Sequence, residues 1–257
     1  MFDFITLAIL AFIMEMIDNG LGGGFGTILS PLLILFGYDP IVVVPAILVS
    51  ETVSGIWGGA WHWKFGNVNW KVVGLTLIGS LSGMALATYI TGAVLQPATL
   101  KLIIAIMAVI MGAFVVLRAK FRERIAKLDF SKHPILFSIM GAIIGYNKGT
   151  SGGNYGPFSV SGYMVLGLSA ATAIGTTTVA EGIACALGVA MYSQITGIVL
   201  SVAIPLSIGS FIADPISAWV NNHLKNKLHP NFHNGLIGFV MMLVGTVALL
   251  KVLGFIK

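Results

Sequence analysis

Apolar residues along the chain fall into two sets of five blocks, separated by short polar or glycine-rich stretches. The first set covers Phe4–Ile17, Thr27–Phe36, Pro40–Trp61, Val72–Thr91 and Ala98–Leu117. After a basic stretch come Pro134–Tyr146, Pro157–Leu166, Ser169–Tyr192, Ile198–Val220 and Phe232–Phe255. A helix needs about 20 apolar residues to cross a hydrocarbon core. The last three blocks of each set meet that length, and the first two are short for full spans.

The sets are alike beyond their order. An offset of 130 residues superimposes them without a gap between about residues 22 and 84. Gly22, Gly23 and Gly26 fall on Gly152, Gly153 and Gly156, Phe25 falls on Tyr155, and Gly37 on Gly167. Glu51 falls on Glu181, Gly58 on Gly188, and Ile78-Gly79-Ser80 on Ile208-Gly209-Ser210. Glycine matches carry little weight in a glycine-rich membrane chain. A glutamate matched in mid-helix and in register carries more, and the halves read as a duplication.

Charge sets the relation between the halves, because Lys and Arg collect in cytoplasmic loops. The loop HWKFGNVNWK holds Lys64 and Lys71, and its counterpart YSQITG holds neither. The next loop, TGAVLQP, is uncharged, whereas its counterpart NNHLKNKLHPNFH holds Lys225 and Lys227. The bias swaps between equivalent loops, as an inverted repeat requires. The expected architecture is an all-α integral membrane protein of two inverted repeats, each a short glycine-interrupted helical hairpin plus three transmembrane helices. Residues 1–117 form the first repeat, 118–133 a basic cytoplasmic loop and 134–257 the second repeat. Each hairpin begins and ends on one side of the bilayer, re-entrant or as two short spans.

Composition agrees. The chain is 57% hydrophobic and only 9% charged, with mean hydropathy +0.96, where a soluble domain carries about a quarter charged residues. The net charge of +5 sits mainly in loops and is no nucleic-acid signal. The opening MFDFITLAILAFIMEM lacks a basic stretch and a small-residue cleavage site, so it reads as mature chain rather than signal peptide. Cys185, the single cysteine, has no intrachain partner.

The chemistry concentrates at two glycine-rich turns, IDNGLGGGFGT and GYNKGTSGGNYGP. Non-helical backbone survives at membrane depth only where protein or a watery cavity satisfies it, and transporters with inverted repeats build sites from such interrupted helices. A helix starting at each break offers unpaired N–H groups and about half a positive charge. Glycines let a ligand approach that backbone, so each break suits a carboxylate, sulfonate or phosphate. The candidate substrate-binding residues are Gly22, Gly23, Gly24 and Phe25, with Lys148, Gly152, Gly153, Asn154 and Tyr155. Burying the Lys148 ammonium in a bilayer costs about 2.5–3.5 kcal/mol, which a bound anion would offset; the alternative is a lysine snorkelling to headgroups. Its counterpart at the offset is Asp18, and an Asp18–Lys148 ion pair would explain both structurally.

Glu51 and Glu181 lie midway along the third block of each half. A carboxyl there serves proton coupling or gating, or caps backbone at a break. Glu15 is a lesser candidate, and Asp214, before Pro215, either serves transport or satisfies a kink. Trp57, Trp61, Trp63 and Trp70 read as an interfacial belt, and Gly55 to Ala60 as a helix-packing surface. The histidines give no metal set, no cofactor motif is present, and no GxSxG, Walker, HExxH or CxxC pattern supports an enzyme.

GLGGGFGTILSPLLILFGYDP resembles the signature near the start of the TauE/SafE sulfite exporter family, with a glycine run, an aliphatic pair, Pro31 and Gly37. SGGNYGPFSVSGYMVLGLSAATAIGTTT repeats a looser version, and Trp70 of NVNW is similar to the family's loop before the fourth block. Glu51 and Glu181 stand where small hydroxyl residues are expected, and Lys148 is outside the pattern. The resemblance implies an inner-membrane secondary transporter, an exporter of sulfite or a related small organic or sulfur anion. With the residues above it implies alternating access around the glycine breaks, linked to protons. Its partners are then a small anion, protons and the lipid bilayer, with a homo-oligomer left open and no nucleic acid. The alternatives are a passive anion channel, an uptake permease for sulfonates or carboxylates, and a membrane scaffold.

Overall fold

A computed structural model describes residues 2–125, 134–224 and 230–256. Among these, all regular structure is helical. Helix α1 is Phe4–Ile17 and passes through a π-helical turn, Asp18–Gly22, to α2, Phe25–Leu35. Helices α3, Pro40–Lys64, and α4, Trp70–Tyr89, follow; α4 ends in a second π-helical turn, Ile90–Val94. Then come α5 (Pro97–Ile125), α6 (Ile135–Ser151), α7 (Tyr155–Val165), α8 (Ala170–Ile195), α9 (Leu200–Leu224) and α10 (Pro230–Val252).

Helix starts follow local chemistry. Asp39 accepts the Ile41 N–H at 3.1 Å, with Pro40 opening α3, and Asn69 accepts the Val72 N–H at 3.2 Å to open α4. Ser169 caps α8 in the same way, accepting from Thr172 at 3.2 Å. Such caps satisfy N–H groups that have no partner inside the helix. Gly37 and Gly167, matched at the offset, follow α2 and α7 with φ of +92° and +97°, the left-handed backbone that glycine adopts freely.

Among the described residues, six helical segments are long and apolar enough to cross a bilayer: Pro40–Lys64, Trp70–Val94, Pro97–Leu117, Ala170–Ile195, Leu200–His223 and Gly235–Val252. Their outer faces carry Ile78, Leu86, Ile110, Ile212 and Phe239, while Thr76, Ser80, Ser210 and Asp214 are buried. Apolar outside and polar inside is the arrangement lipid selects, and the protein is a multi-pass membrane protein.

Lipid gives little hydrophobic drive for helix association, so contacts rest on close packing of small residues. Helix α4 lies along α6: a Cβ at Gly79 or Gly83 would overlap the carbonyl of Ser138 or Ala142. Reciprocally, one at Gly141 or Gly145 would overlap that of Thr76 or Ser80. Helix α9 packs along α1 in the corresponding way, with Gly209 against the Ala8 carbonyl. At the α3–α8 crossing Gly55 and Gly182 touch through their backbones, as the reading of Gly55–Ala60 anticipates. Helix α3 also packs on α9, α4 on α8, and α5 on α10.

Two boundaries differ from the sequence reading. Helix α6 continues through Lys148 to Ser151, so the second break is only Gly152–Asn154. Gly145 and Gly149 are packing residues against α4 rather than part of a turn. Helix α5 runs to Ile125, so residues 118–125 of the expected basic loop are helical. Residues 126–133, and the loop lysines Lys225 and Lys227, lie outside the described residues.

Candidate functional site

The two breaks meet backbone to backbone. Gly22, Gly23 and Gly24 adopt φ of +100°, +137° and +146°, and Gly152 and Asn154 adopt +71° and +68°. Gly23 leaves a Cβ position only 2.6 Å from the Pro157 ring. A Cβ at Gly26 would overlap the Gly152 carbonyl, and one at Gly153 would lie 2.6 Å from the Thr27 nitrogen. The Asn154 N–H donates to Thr27 Oγ1 at 2.7 Å, and the Gly153 N–H to Ser151 Oγ at 3.1 Å. Phe25 and Tyr155 diverge into separate cores, Phe25 beside Leu29 and Leu33, and Tyr155 with Leu48 and Met84.

Beside this junction lie the charged groups. Glu51 from α3 and Glu181 from α8 approach one ammonium, Lys148 of α6, whose Nζ lies 2.9 Å from Glu51 and 2.6 Å from Glu181. Lys148 is 1% exposed, so it does not snorkel to a surface. Two carboxylates and their hydrogen bonds offset the desolvation of that ammonium. The Asp18–Lys148 pair weighed from the sequence is replaced by these contacts, since Asp18 is not among the ion-pair partners of Lys148.

Asp18 takes another place. Its Oδ1 lies 3.4 Å from the Phe25 nitrogen at the start of α2. A Cβ built on Gly156, in the first turn of α7, would come within 3.0 Å of the same oxygen. The N-terminus of α2 thus meets this carboxylate with the positive end of its dipole, and the first turn of α7 passes beside it. One oxygen each of Asp18, Glu51 and Glu181 lies within 4.8 Å of the others. This is close enough to share a cation, and Lys148 serves Glu51 and Glu181 in that role.

A further polar cluster links α1, α3, α8 and α9. Glu15, Asn19, Ser54, Thr178 and Asp214 are all buried. Asn19 Nδ2 donates to Asp214 Oδ1 at 2.7 Å, and Thr178 donates to Asn19 Oδ1 at 2.6 Å. Helix α9 continues through Pro215, and the Asp214 carboxyl serves this cluster. Asn19, Ser54 and Thr178 escape the sequence reading, although Glu15 and Asn19 stand four residues apart on an otherwise apolar stretch. Trp63 and Trp70 are 64% and 53% exposed and meet edge to face, whereas the half-buried Trp57 stacks on the exposed Phe211 of α9.

The TauE/SafE sulfite exporter family model matches residues 7–250. The chain belongs to that family. Among curated proteins it is 28% identical over 264 residues to the probable membrane transporter protein YtnM of Bacillus subtilis (strain 168), covering 96% of this chain and 83% of that protein. A shorter match, 36% over 69 residues, is to the probable membrane transporter protein YjnA of the same organism, covering 27% of this chain and 26% of that protein. No solved structure matches the chain. A TauE/SafE member with six bilayer-length helices is a membrane transporter.

Proposed function

We propose that this transporter is a secondary, proton-linked carrier that exports sulfite or a related small organic or sulfur anion across the inner membrane. The observation that carries the reading is the Asp18 carboxylate seated at the N-terminus of α2, beside the first turn of α7. A group of that charge and size stands where a carboxylate, sulfonate or sulfite would be held.

The substrate takes the place of Asp18 when that side chain swings aside or is protonated, because two anions do not share one site without neutralisation. It then faces Gly22, Gly23, Gly24 and Phe25 on one side, and Gly152, Gly153, Asn154 and Tyr155 on the other. Glu51 and Glu181 share the Lys148 ammonium and Asp18 lies within 4.8 Å of both carboxyls, so neutrality of the set requires protons as well as Lys148. Parting of Lys148 from Glu51 or Glu181 frees its charge for the substrate and loosens α3 from α6 and α8. Those contacts are the gate of an alternating-access cycle in which two inverted repeats, 1–117 and 134–257, move against each other. The charge bias of the loops supports a cytoplasmic position for residues 118–133.

The test is uptake of labelled sulfite into proteoliposomes, with and without an imposed pH gradient, for the wild type and Lys148→Ala. Saturable uptake that follows the gradient and is lost in the variant supports the reading. Flux that neither saturates nor follows the gradient makes the protein a passive channel. Gradient-driven uptake of a sulfonate or carboxylate but not of sulfite keeps the mechanism and changes the substrate.

A further inference from the structure

The pair Glu15 and Asp214 stands apart from the Lys148 contacts. Both residues are fully buried. Ser54 of α3 joins them, its Oγ 2.8 Å from Glu15 Oε1 and 2.7 Å from Asp214 Oδ1. Asn19 Nδ2 approaches the same hydroxyl at 3.2 Å. The outer oxygens, Glu15 Oε2 and Asp214 Oδ2, are removed from solvent and have no hydrogen-bond partner. A serine hydroxyl carries one hydrogen, so it donates to one of the two carboxyls and leaves the contact with the other without a donor. A hydrogen on that second carboxyl completes the set.

The charged groups that face the pair from packed elements are Asp18, on the turn after α1, and Glu51, on α3. Helix α8 offers only the Thr178 hydroxyl, through Asn19. No ion pair to Glu15 or Asp214 occurs among the described residues. Burying such carboxyls without a partner is costly, and the fold itself does not require them. At the offset of 130, the places of Glu15, Asn19, Ser54, Thr178 and Asp214 are held by Gly145, Gly149, Ala184, Leu48 and Met84. One contact corresponds as well, Met84 standing to Gly188 as Asp214 stands to Gly58. A Cβ at Gly58 would lie 2.7 Å from Asn19 Nδ2 and from Asp214 Oδ1, and one at its match Gly188 would meet Leu48 and Met84. One architecture thus appears twice, packed with small and apolar side chains in one copy and with ionisable ones in the other.

We propose that Glu15, Ser54 and Asp214 form the site of the coupled proton, held between two carboxyls and exchanged during transport. This deepens the proton-linked reading above and rests on it. With the proton bound, Ser54 and the carboxyl hydrogen draw α1, α3 and α9 together. With the proton gone, two carboxylates face each other and repel, which favours separation of α1 from α9. Asn19 bonds to Asp214 and follows Asp18 in the chain, so loosening this site moves the carboxylate that occupies the anion position.

The experiment is an acid-minus-alkaline infrared difference spectrum of the purified protein, alone, with Glu15→Gln and Asp214→Asn. It is paired with sulfite accumulation driven by a pH gradient. The expected result is loss of one carboxylic C=O component in both variants and loss of accumulation in both, with Asp214→Glu restoring each. Ser54→Ala keeps both carboxyls and should shift that component rather than remove it, which guards against variants that merely misfold. A component unchanged in both variants overturns the proposal, as does a component lost while accumulation persists. A wild-type component seen only after sodium is withdrawn would assign the site to a metal cation and overturn it too. If no anion follows a pH gradient in the wild type, the coupling role falls with the transport mechanism, and the spectrum still decides where the proton binds.

Discussion

Glu51 and Glu181, matched across the two halves of the chain, share a single ammonium: Lys148 Nζ lies 2.9 Å from one and 2.6 Å from the other. One side chain of α6 therefore ties α3 to α8 in the middle of the molecule. Removing one partner of a buried pair leaves its counterpart unpaired and costs about 3–5 kcal/mol. Lys148→Met should lower the melting temperature strongly in detergent. Lys148→Met with Glu51→Gln and Glu181→Gln should recover most of that loss, and a triple variant as unstable as the single one would contradict the pairing.

Gly26→Ala tests the junction of the breaks. Its Cβ would overlap the Gly152 carbonyl, and overpacking of a tight contact costs about 1–3 kcal/mol or more. Gly74→Ala is the counter-case. It lies inside α4 with nothing near its Cβ position, so it should be neutral or stabilise by up to about 1 kcal/mol. The thermal melt should fall for Gly26→Ala and hold or rise for Gly74→Ala.

Asp18→Asn tests whether this carboxyl competes with substrate. The amide oxygen still accepts the Phe25 N–H, but the charge is gone. Removing a resident negative charge should lower KM for sulfite in exchange assays by up to about tenfold, equivalent to 1.4 kcal/mol. A raised KM would instead make Asp18 a supporting residue.

Ser50 and Ser210 face each other across α3 and α9, their hydroxyl oxygens 2.8 Å apart. Ser50→Cys with Ser210→Cys should form a disulfide under mild oxidation and arrest transport, and reduction should restore it. The native Cys185 is buried and gives little background. Full transport by the cross-linked protein would exclude relative motion of these helices from the cycle.

Membrane orientation is tested by labelling single cysteines at Lys64 and Lys225. An inverted repeat places both on one side, so an impermeant maleimide should reach both from the same face. Labelling from opposite faces would refute the inversion.

The helices were legible because blocks of apolar residues in lipid leave little choice of structure. Phe4–Ile17 and the start of α3 at Pro40 are read to the residue. The alignment of Glu51 with Glu181 was legible too, from register alone. The partner of Lys148 was not, because three helices distant in sequence must assemble before Nζ finds its carboxylates. The length of the second break is not legible in the sequence, because its glycine content reads as interruption. Gly141, Gly145 and Gly149 recur every fourth residue, which is the spacing of one helix face and marks a packing stripe. Asn19, Ser54 and Thr178 were hidden because short polar residues inside spans are common and only their mutual contacts single them out.

The pairing of α1 with α9 and of α4 with α6 bears on how the molecule is made. Synthesis delivers the N-terminal segments first. Glu15 and Asn19 thus enter the membrane well before Asp214 exists, and Gly79 and Gly83 before α6. The first five helices cannot mature as a unit and then wait. Until α6 is made Glu51 lacks its ammonium, and until α9 is made Glu15 has Ser54 without Asp214, so the polar interior of the first half closes only when the second half arrives.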